Sequence, residues 1–368
     1  MKPEQRISIS VSNLLLIISS FLILILLWQV RNLIVLLMVA VVLASSISPL
    51  VNLTERIRLP RWLGVIIVYL TIVLGLISVV LTIGPPVFEQ IERLLRQLPL
   101  FSESISDNFR DFVSSLIQSP PDWINQLFDT RYVTSWVIRS SQQFLLRSYS
   151  LTKGVLGGIV SLILALFISG YMVSDSKTLI TSIVKFFPQP WDKRLENQVI
   201  PVTERMGSYI RGRIIVSAIL GIATTTGLGF LELQDFSLGL GAIAAVTNLI
   251  PFIGPILGAV PALIVAIAKG GWLFLWVIIL YYIIQNLETY VLDPLLVGSS
   301  VGVHPLYQLL SVLIGIQLLG IIGALVVPPW FAGGAALIEN LYLKPKLEAE
   351  SIQSMITNNG DNNPPTAI

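Results

Sequence analysis

The sequence contains no cysteine and a single histidine among its 368 residues. The lack of cysteine excludes disulfide frameworks, thiolate metal sites, iron–sulfur clusters and cysteine nucleophiles. One histidine with distant carboxylates does not make a zinc or haem site, so the sequence predicts no metal and no cofactor. Charged residues are also scarce, because they form 12% of the chain against about 25% in typical soluble proteins.

Further absences concern enzymatic function. The chain has no GxxxxGK[ST] phosphate-binding loop and no HExxH zinc motif, so ATP hydrolysis and zinc-dependent proteolysis by those motifs are excluded. The sequence predicts a protein that is not an enzyme and has no catalytic residues. The formal net charge of +2 is too small and too dispersed along the chain to predict nucleic-acid binding.

What the chain has in abundance is apolar surface, with 54% hydrophobic residues and a mean hydropathy of +0.81. A soluble fold cannot hide that much apolar surface from water, so the sequence predicts an all-α polytopic membrane protein that binds the lipid bilayer. About eight transmembrane segments are expected, two of them broken by Gly and Pro or re-entrant, plus a small extracytoplasmic helical arm. Six runs fit a single crossing: Val11–Val30, Leu33–Val51, Leu63–Ile83, Gly154–Val173, Ile214–Leu231 and Gly270–Leu287.

Two apolar runs are too long for one crossing. Phe236–Ala268 has 33 residues without a charge and Pro305–Ile338 has 34. As straight helices each would be about 50 Å long, well beyond a bilayer core of about 30 Å. Each run must therefore tilt strongly, break or fold back, and the sequence leaves open whether they cross the membrane or re-enter it.

The remaining stretches suggest a division into regions. The predicted arm carries apolar residues at helical spacing, which indicates three or four amphipathic helices. Pro85–Pro86 is expected to break the chain at the start of the arm. The polar C-terminal stretch is expected to be disordered. The expected regions are 1–84 (three transmembrane helices), 85–153 (the arm), 154–347 (the transport core, with a cytoplasmic amphipathic segment at 175–212) and 348–368 (the tail).

The segment 175–212 is basic, with "FFPQPW" at 186–191 as a turn between two helices. Its apolar side chains beside lysines and an arginine suit a helix that lies on an anionic membrane surface. A linker helix packed on the rest of the protein explains the same pattern, and the sequence does not choose between the two.

The Lys and Arg residues predict the orientation of the chain. With eight crossings and the N-terminus inside, fifteen of the 23 basic residues lie on the inner side, whereas the short outer loops carry only Arg31. We therefore expect both termini to be cytoplasmic and the arm to be outside.

The overlong runs contain "NLIPFIGPILGAVPA" (248–262) and "IGIQLLGIIGALVVPP" (314–329). Proline removes a backbone donor and glycine lets the chain bend, and in hydrocarbon such breaks survive only inside protein or beside a wet cavity. Paired broken segments point to a transporter's binding site, although ordinary kinks and close helix packing explain Gly and Pro as well. The candidate hinge and break residues are Gly258, Pro261, Gly320, Gly323 and Pro328.

Few polar residues lie in or beside these runs, and they supply the other candidates. Intramembrane ionisable groups are functional candidates by default, but Asp293–Pro294 is also typical of a hydrated turn. Since Lys269 is the only basic residue close to the breaks in sequence, an uncharged hydroxylated solute is favoured. The expected substrate path is Asn248, Pro251, Gly254, Pro255, Gln285, Glu288 and Gln317, and the ion-coupling candidates are Glu288, Asp293 and His304.

From about residue 154 onward the motifs follow a recognisable order: "YMVSD" (171–175), "YIRGR" (209–213), "NLIPFIGPILGAVPA", "IIQNLETYVLDPLLVG" (283–298), "VHPL" (303–306) and "GIIGALVVP" (320–328). In this order the chain resembles the autoinducer-2 exporter family of bacterial membrane proteins. It departs from the family pattern at Arg213, where glutamine is usual, and at Ile316–Gln317, where two small residues are usual.

The resemblance implies a multi-pass transporter of the bacterial inner membrane, with a small molecule or an ion as substrate. Some members of the family export the furanone autoinducer-2, and sodium/proton exchange has been proposed for others. The resemblance also implies a homo-oligomer, with a pentamer as one form. Three functions remain as alternatives: an exporter of a small polar solute, a cation/proton antiporter, and a membrane scaffold that binds a partner.

Overall fold

A computed structural model describes residues 11–116, 157–298 and 304–360. All regular secondary structure in this part of the chain is helical, which confirms the all-α polytopic class. The helices are α1 (Val11–Gln29), α2 (Arg31–Arg56), α3 (Arg61–Leu116), α4 (Gly157–Ser174), α5 (Ser176–Val184), α6 (Trp191–Glu196), α7 (Val199–Phe230), α8 (Gln234–Thr247), α9 (Ile253–Lys269), α10 (Leu273–Leu287), α11 (Pro305–Ile338) and α12 (Lys344–Gly360), with π-helical stretches at Glu288–Gly298 and Glu339–Leu343.

Six of the described helical stretches are long and apolar enough to cross a membrane. They correspond to α2, the first part of α3, α4, α6 with α7, α10 with its π-helical extension, and α11 with the chain as far as Gln353 in α12. Large apolar side chains remain exposed along them, as expected for helices whose outer faces contact lipid rather than water. The chain is thus built as a multi-pass membrane protein.

Helix α3 corrects the expected boundary at residue 84. It runs without interruption from Arg61 to Leu116, straight through Pro85–Pro86. The first part of the predicted arm is therefore a continuation of a membrane helix, and it packs on the protein: Leu94 is buried, and the Gln90 side chain accepts a hydrogen bond of 2.8 Å from the Gly239 amide. The rest of the arm, from residue 117 to 153, lies outside the described residues.

The first overlong run folds back as a helical hairpin. Helices α8 and α9 are joined by a turn at 248–252, in which Phe252 has a φ of 65°. The two helices approach so closely that a Cβ on Gly254 would meet the carbonyl of Thr247 and one on Gly258 would lie 3.0 Å from the Ala244 Cα. The first run is therefore two short helices rather than one long one.

The break lies before two of the expected hinge residues in the sequence. Gly258 and Pro261 both lie inside the continuous helix α9, and the chain reverses before them. At Gly258 the glycine serves close packing rather than bending.

The second overlong run also folds back, at Gly320. This residue has φ 67° and ψ −148°, a conformation that is essentially restricted to glycine. The two arms of α11 then pack backbone to backbone, since a Cβ on Gly323 would meet the carbonyl oxygen of Gly315. Pro328, another expected break residue, is buried within the second arm and does not interrupt it.

Helix α7 lies between the two hairpins. The sequence predicts an apolar crossing from Ile214, but the helix begins at Val199 and its 32 residues span about 48 Å. The first hairpin packs on its C-terminal half, where the Ser217 hydroxyl donates to the carbonyl of Ala245. The second hairpin is tied to its N-terminal half by an ion pair of 2.8 Å between Arg205 and Glu339. Residues near the middle of α7 are therefore positioned between both hairpins.

The connector and the tail complete the fold. Helices α5 and α6 flank the "FFPQPW" turn as predicted, and the Phe186 side chain is 87% exposed. The C-terminal stretch expected to be disordered is instead helical as far as Gly360. Residues 361–368 lie outside the described part of the chain.

Candidate substrate site

A cluster of three charged side chains lies beside the middle of α7. Arg213 is 1% exposed and Glu288 is 4% exposed. The Nη1 atom of Arg213 is 2.9 Å from a Glu288 carboxylate oxygen and 3.3 Å from one of Asp293. Asp293 is the outer member of this cluster, since 34% of its side chain is accessible.

The winding of the chain explains how one guanidinium meets both carboxylates. Glu288 and Asp293 lie in the π-helical stretch that extends α10. In an α-helix two residues five apart point about 140° away from each other, whereas the i→i+5 repeat of a π-helix places them on one face. The sequence favours a hydrated turn at Asp293–Pro294, whereas the structure places both residues in a helical stretch at whose start Glu288 is buried.

A glycine lets α7 approach this stretch. A Cβ on Gly212 would meet the carbonyl oxygen of Leu296 and would lie 3.1 Å from a methyl group of Val297. Only the absence of a side chain allows the two backbones to come so close. The "RGR" motif (211–213) thus places Gly212, which allows the close backbone contact, directly before Arg213, which forms the ion pairs.

Beside the cluster is a cavity of about 300 Å³ between α7, the first hairpin and α10. Its walls are mostly apolar. Polar groups reach it from each of these elements, namely Thr224, Asn248, Tyr281, Tyr282, Gln285 and Glu288. An apolar cavity with a few polar groups is the usual form of a small-molecule site.

Several polar groups at the site have hydrogen-bonding capacity to spare. The Oδ1 atom of Asn248, a residue 4% exposed, is buried without a hydrogen-bond partner. The Nε and Nη2 atoms of Arg213 are also buried and unpaired. Unpaired buried polar atoms cost about 1–3 kcal/mol each, so their presence together at one site calls for an explanation in terms of function.

Tyr281 spans the cavity between the hairpin and α10. Its hydroxyl donates a hydrogen bond of 3.1 Å to the carbonyl of Gly258. Gln285 lies one turn further along α10, and its amide nitrogen is 3.4 Å from Glu288 Oε2. These contacts tie the broken hairpin to the helix that carries the buried acid.

The structure brings four of the expected substrate-path residues together at the cavity: Asn248, Pro255, Gln285 and Glu288. Three others are not among its lining residues. Pro251 and Gly254 are buried in the turn and at the hairpin contact, and Gln317 is exposed on the first arm of α11.

The three ion-coupling candidates are also separated. Glu288 and Asp293 share Arg213, but His304 is exposed at the start of α11. Its Nδ1 atom accepts a hydrogen bond of 3.2 Å from the Leu306 amide. His304 therefore acts as a helix cap.

Arg213 is the residue that sequence reasoning missed. Lys269 was the basic residue expected near the breaks, but its ammonium group donates to the Glu232 carbonyl at the far end of the hairpin. Arg213 instead contacts Glu288, a residue of the cavity wall. The departure from the family pattern at this position was the signal that could have revealed it.

A family model described as AI-2E family transporter matches residues 16–343. The chain belongs to the AI-2E transporter family. YrrI of Bacillus subtilis is 28% identical over 308 residues, which cover 82% of this chain and 84% of YrrI. YueF of the same organism is 28% identical over 325 residues and 85% of each chain. A protein of Borreliella burgdorferi is 24% identical over 306 residues, 82% of this chain and 80% of its own.

These AI-2E relatives are named provisionally as transport proteins, and none of the three names specifies a substrate. Together with the family match they support a multi-pass membrane transporter rather than an enzyme. Within the described residues no group of three or more His, Cys, Asp or Glu side chains is placed to hold a metal ion.

One stretch of this sequence has the spacing of a catalytic motif. The stretch "GSSVG" at 298–302 has the GxSxG spacing of a hydrolase nucleophile. That motif requires a turn from a strand into a helix, whereas Gly298 ends a helical stretch. Residues 299–303 lie outside the described part of the chain, and a nucleophilic role has no structural support.

Proposed function

We propose that the chain exports a small polar solute of the autoinducer-2 type through the cavity between α7, the first hairpin and α10. The observation that carries this proposal is the cavity wall itself, in which the broken hairpin contributes Asn248 with a buried, unpaired Oδ1 atom and α10 contributes Glu288. Apolar walls would exclude water, and the polar groups would exchange hydrogen bonds with the solute.

The two hairpins are the proposed moving parts. Each is an interrupted run that folds back beside α7. Paired broken segments of this kind form the binding sites of many secondary transporters. We propose that both are re-entrant, that the termini are cytoplasmic in the bacterial inner membrane, and that the protein works as a homo-oligomer.

The two alternative functions have less support. The comparisons give no support to sodium/proton antiport, and His304, one of the three residues expected to couple it, is engaged in capping α11. A scaffold role would leave the cavity and its unpaired polar atoms without a use. Transport of a solute accounts for both.

The test is reconstitution of the purified protein into proteoliposomes, with efflux of autoinducer-2 as the readout. Asn248→Leu removes the unpaired acceptor and should lower the rate at least tenfold. Asn286→Leu is the matched control, because Asn286 lies on α10 outside the cavity wall and its amide donates to the Tyr282 carbonyl. No flux by the well-folded wild-type protein, or equal loss in both variants, would overturn the proposal.

A further inference from the structure

We infer that the cavity favours solutes that carry a protonated amine and disfavours carboxylates. This inference rests on the proposed function and goes beyond it, since it names a second class of small polar solute, besides the furanone type, that the same cavity would transport. It is carried by the charge of the cavity wall, by the acceptor groups of the residues that line the cavity and by the size of the cavity.

The charged group in the cavity wall is a carboxylate. Among the described residues of its wall, Glu288 is the only charged one. Its counter-ion Arg213 is shared with Asp293, so the cluster of one cation and two carboxylates carries one net negative charge when all three groups are ionised. In a low-dielectric surrounding such a charge attracts a cation and repels an anion strongly.

The hydrogen-bonding groups at the cavity point to the same class. Asn248 lines the cavity and has a buried, unpaired Oδ1, which is an acceptor. Glu288 Oε1 faces Arg213, but Oε2 has a longer contact, 3.4 Å from the Gln285 amide nitrogen. Two acceptors with spare capacity require a solute rich in donors, and an ammonium group supplies three.

The size and the walls favour an organic ammonium over a bare metal ion. A cavity of about 300 Å³ is far larger than a dehydrated cation. Hard metal cations need six or more oxygen ligands in the case of calcium, or near-octahedral geometry in the case of magnesium, and this wall is mostly apolar. Tyr281 and Tyr282 line the same space, and aromatic rings add attraction for an organic cation.

An anion at Arg213 is the competing possibility. Its unpaired Nε and Nη2 atoms form the edge that commonly receives a carboxylate. However, Arg213 is not part of the described cavity wall, and two carboxylates already lie within 3.3 Å of its Nη1. The carboxylate of a solute would be attracted by one guanidinium but repelled by two carboxylates. Solutes that carry a protonated amine are therefore favoured.

The experiment compares three radiolabelled two-carbon solutes of similar size in the same proteoliposomes at neutral pH, with empty vesicles as the baseline. Ethanolamine is the cation, ethylene glycol the neutral solute and glycolate the anion. We expect carrier-mediated flux of ethanolamine to exceed that of glycolate at least tenfold, with ethylene glycol between them.

Two variants locate the selectivity. Glu288→Gln keeps the shape of the side chain but removes the charge, and it should reduce the ratio of ethanolamine to glycolate flux to within about threefold of unity. Asn248→Leu keeps every charge and should lower ethanolamine flux with less effect on the ratio. If Glu288→Gln fails to fold, the wild-type ratio and the Asn248→Leu result still decide the question.

The outcomes separate the inference from the function on which it rests. Flux of ethylene glycol or glycolate at or above that of ethanolamine would overturn the amine inference and leave the transporter intact. Absence of carrier-mediated flux for all three solutes and for autoinducer-2 would overturn the proposed function itself. An unchanged charge preference in Glu288→Gln would show that this carboxylate does not set it.

Discussion

Two large and opposing free energies act on a guanidinium that is buried between two carboxylates: the loss of hydration and the attraction between the charges. Removing three charges from water is costly, and their mutual attraction offsets that cost only while all partners are present. Arg213, Glu288 and Asp293 meet this condition because α7 and the π-helical stretch touch at Gly212. Removing any one member should therefore be more harmful than removing an exposed ion pair.

The first prediction concerns Arg213→Met. It leaves a buried Glu288 without its cation, so the free energy of unfolding should fall by about 3–5 kcal/mol. Thermal unfolding of the purified protein in detergent measures the change. Arg96→Met is the control, because the exposed pair between Arg96 and Glu92 should contribute about 1 kcal/mol or less. The double variant Arg213→Met, Glu288→Gln should recover part of the loss, and strict additivity would contradict the coupling.

The position of Arg213 could not have been predicted from its neighbours in the sequence. Arg205 and Arg211 precede it within nine residues, and such a basic stretch is typical of a cytoplasmic loop. Its burial depends on Glu288, which is 75 positions away in the sequence. Asn248 and Glu288, in contrast, were predictable because polar residues beside broken apolar runs are rare.

At the scale of elements, the two hairpins depend on glycines that allow backbone contact. The length of each run predicted a departure from a straight helix. The exact point of reversal was less predictable, because Gly258, Pro261 and Pro328 carry the same local signal as Gly320 yet lie within helices. Of these four residues only Gly320 has a positive φ, and it marks a reversal that a residue with a side chain does not adopt easily.

The second prediction tests the contact between the arms of α11. Gly323→Ala places a methyl group against the Gly315 carbonyl and should lower the apparent unfolding temperature, by about 3 °C for a cost of about 2 kcal/mol. Gly334→Ala is the control, since a Cβ there meets nothing within 4 Å. Circular dichroism monitors the thermal unfolding of both variants. Equal changes in the unfolding temperature of Gly323→Ala and Gly334→Ala would contradict the packed hairpin.

The third prediction concerns the connector between α4 and α7. Phe186 is 87% exposed and lies beside Lys185, so it is placed to enter the headgroup region of an anionic bilayer. A polarity-sensitive dye on Phe186→Cys, in a chain with no other cysteine, should shift to the blue in vesicles containing anionic lipid. High salt should weaken the shift. The same spectrum in anionic and zwitterionic vesicles would favour the packed-linker interpretation.

At the scale of the whole molecule, folding back changes the expected topology. If 236–268 and 305–338 each crossed the membrane once, the two ends of each run would lie on opposite sides. In the structure the Lys269 ammonium group is 3.0 Å from the Glu232 carbonyl, so both ends of the first run lie together. The hydropathy pattern fixed the membrane class, but it could not distinguish two short helices from one long crossing.

The fourth prediction follows from that arrangement. In inside-out and right-side-out vesicles, Lys269→Cys and Asp235→Cys should react with a membrane-impermeant maleimide from the same side. Lys344→Cys should react from the opposite side, where the termini are expected. The unsubstituted chain provides the background because it contains no cysteine. Labelling of positions 269 and 235 from opposite sides would restore a single crossing.

The eleven residues from Glu288 to Gly298 have one more consequence. A π-helix makes fewer turns than an α-helix of the same number of residues, so the chain leaves this stretch rotated relative to an α-helical continuation. Deleting a single residue within it, such as Thr289, would favour a return to α-helical winding. That deletion would turn Asp293 away from Arg213. It would also change the direction in which the chain continues to the second hairpin. The number of residues in this stretch is therefore as important as their identity.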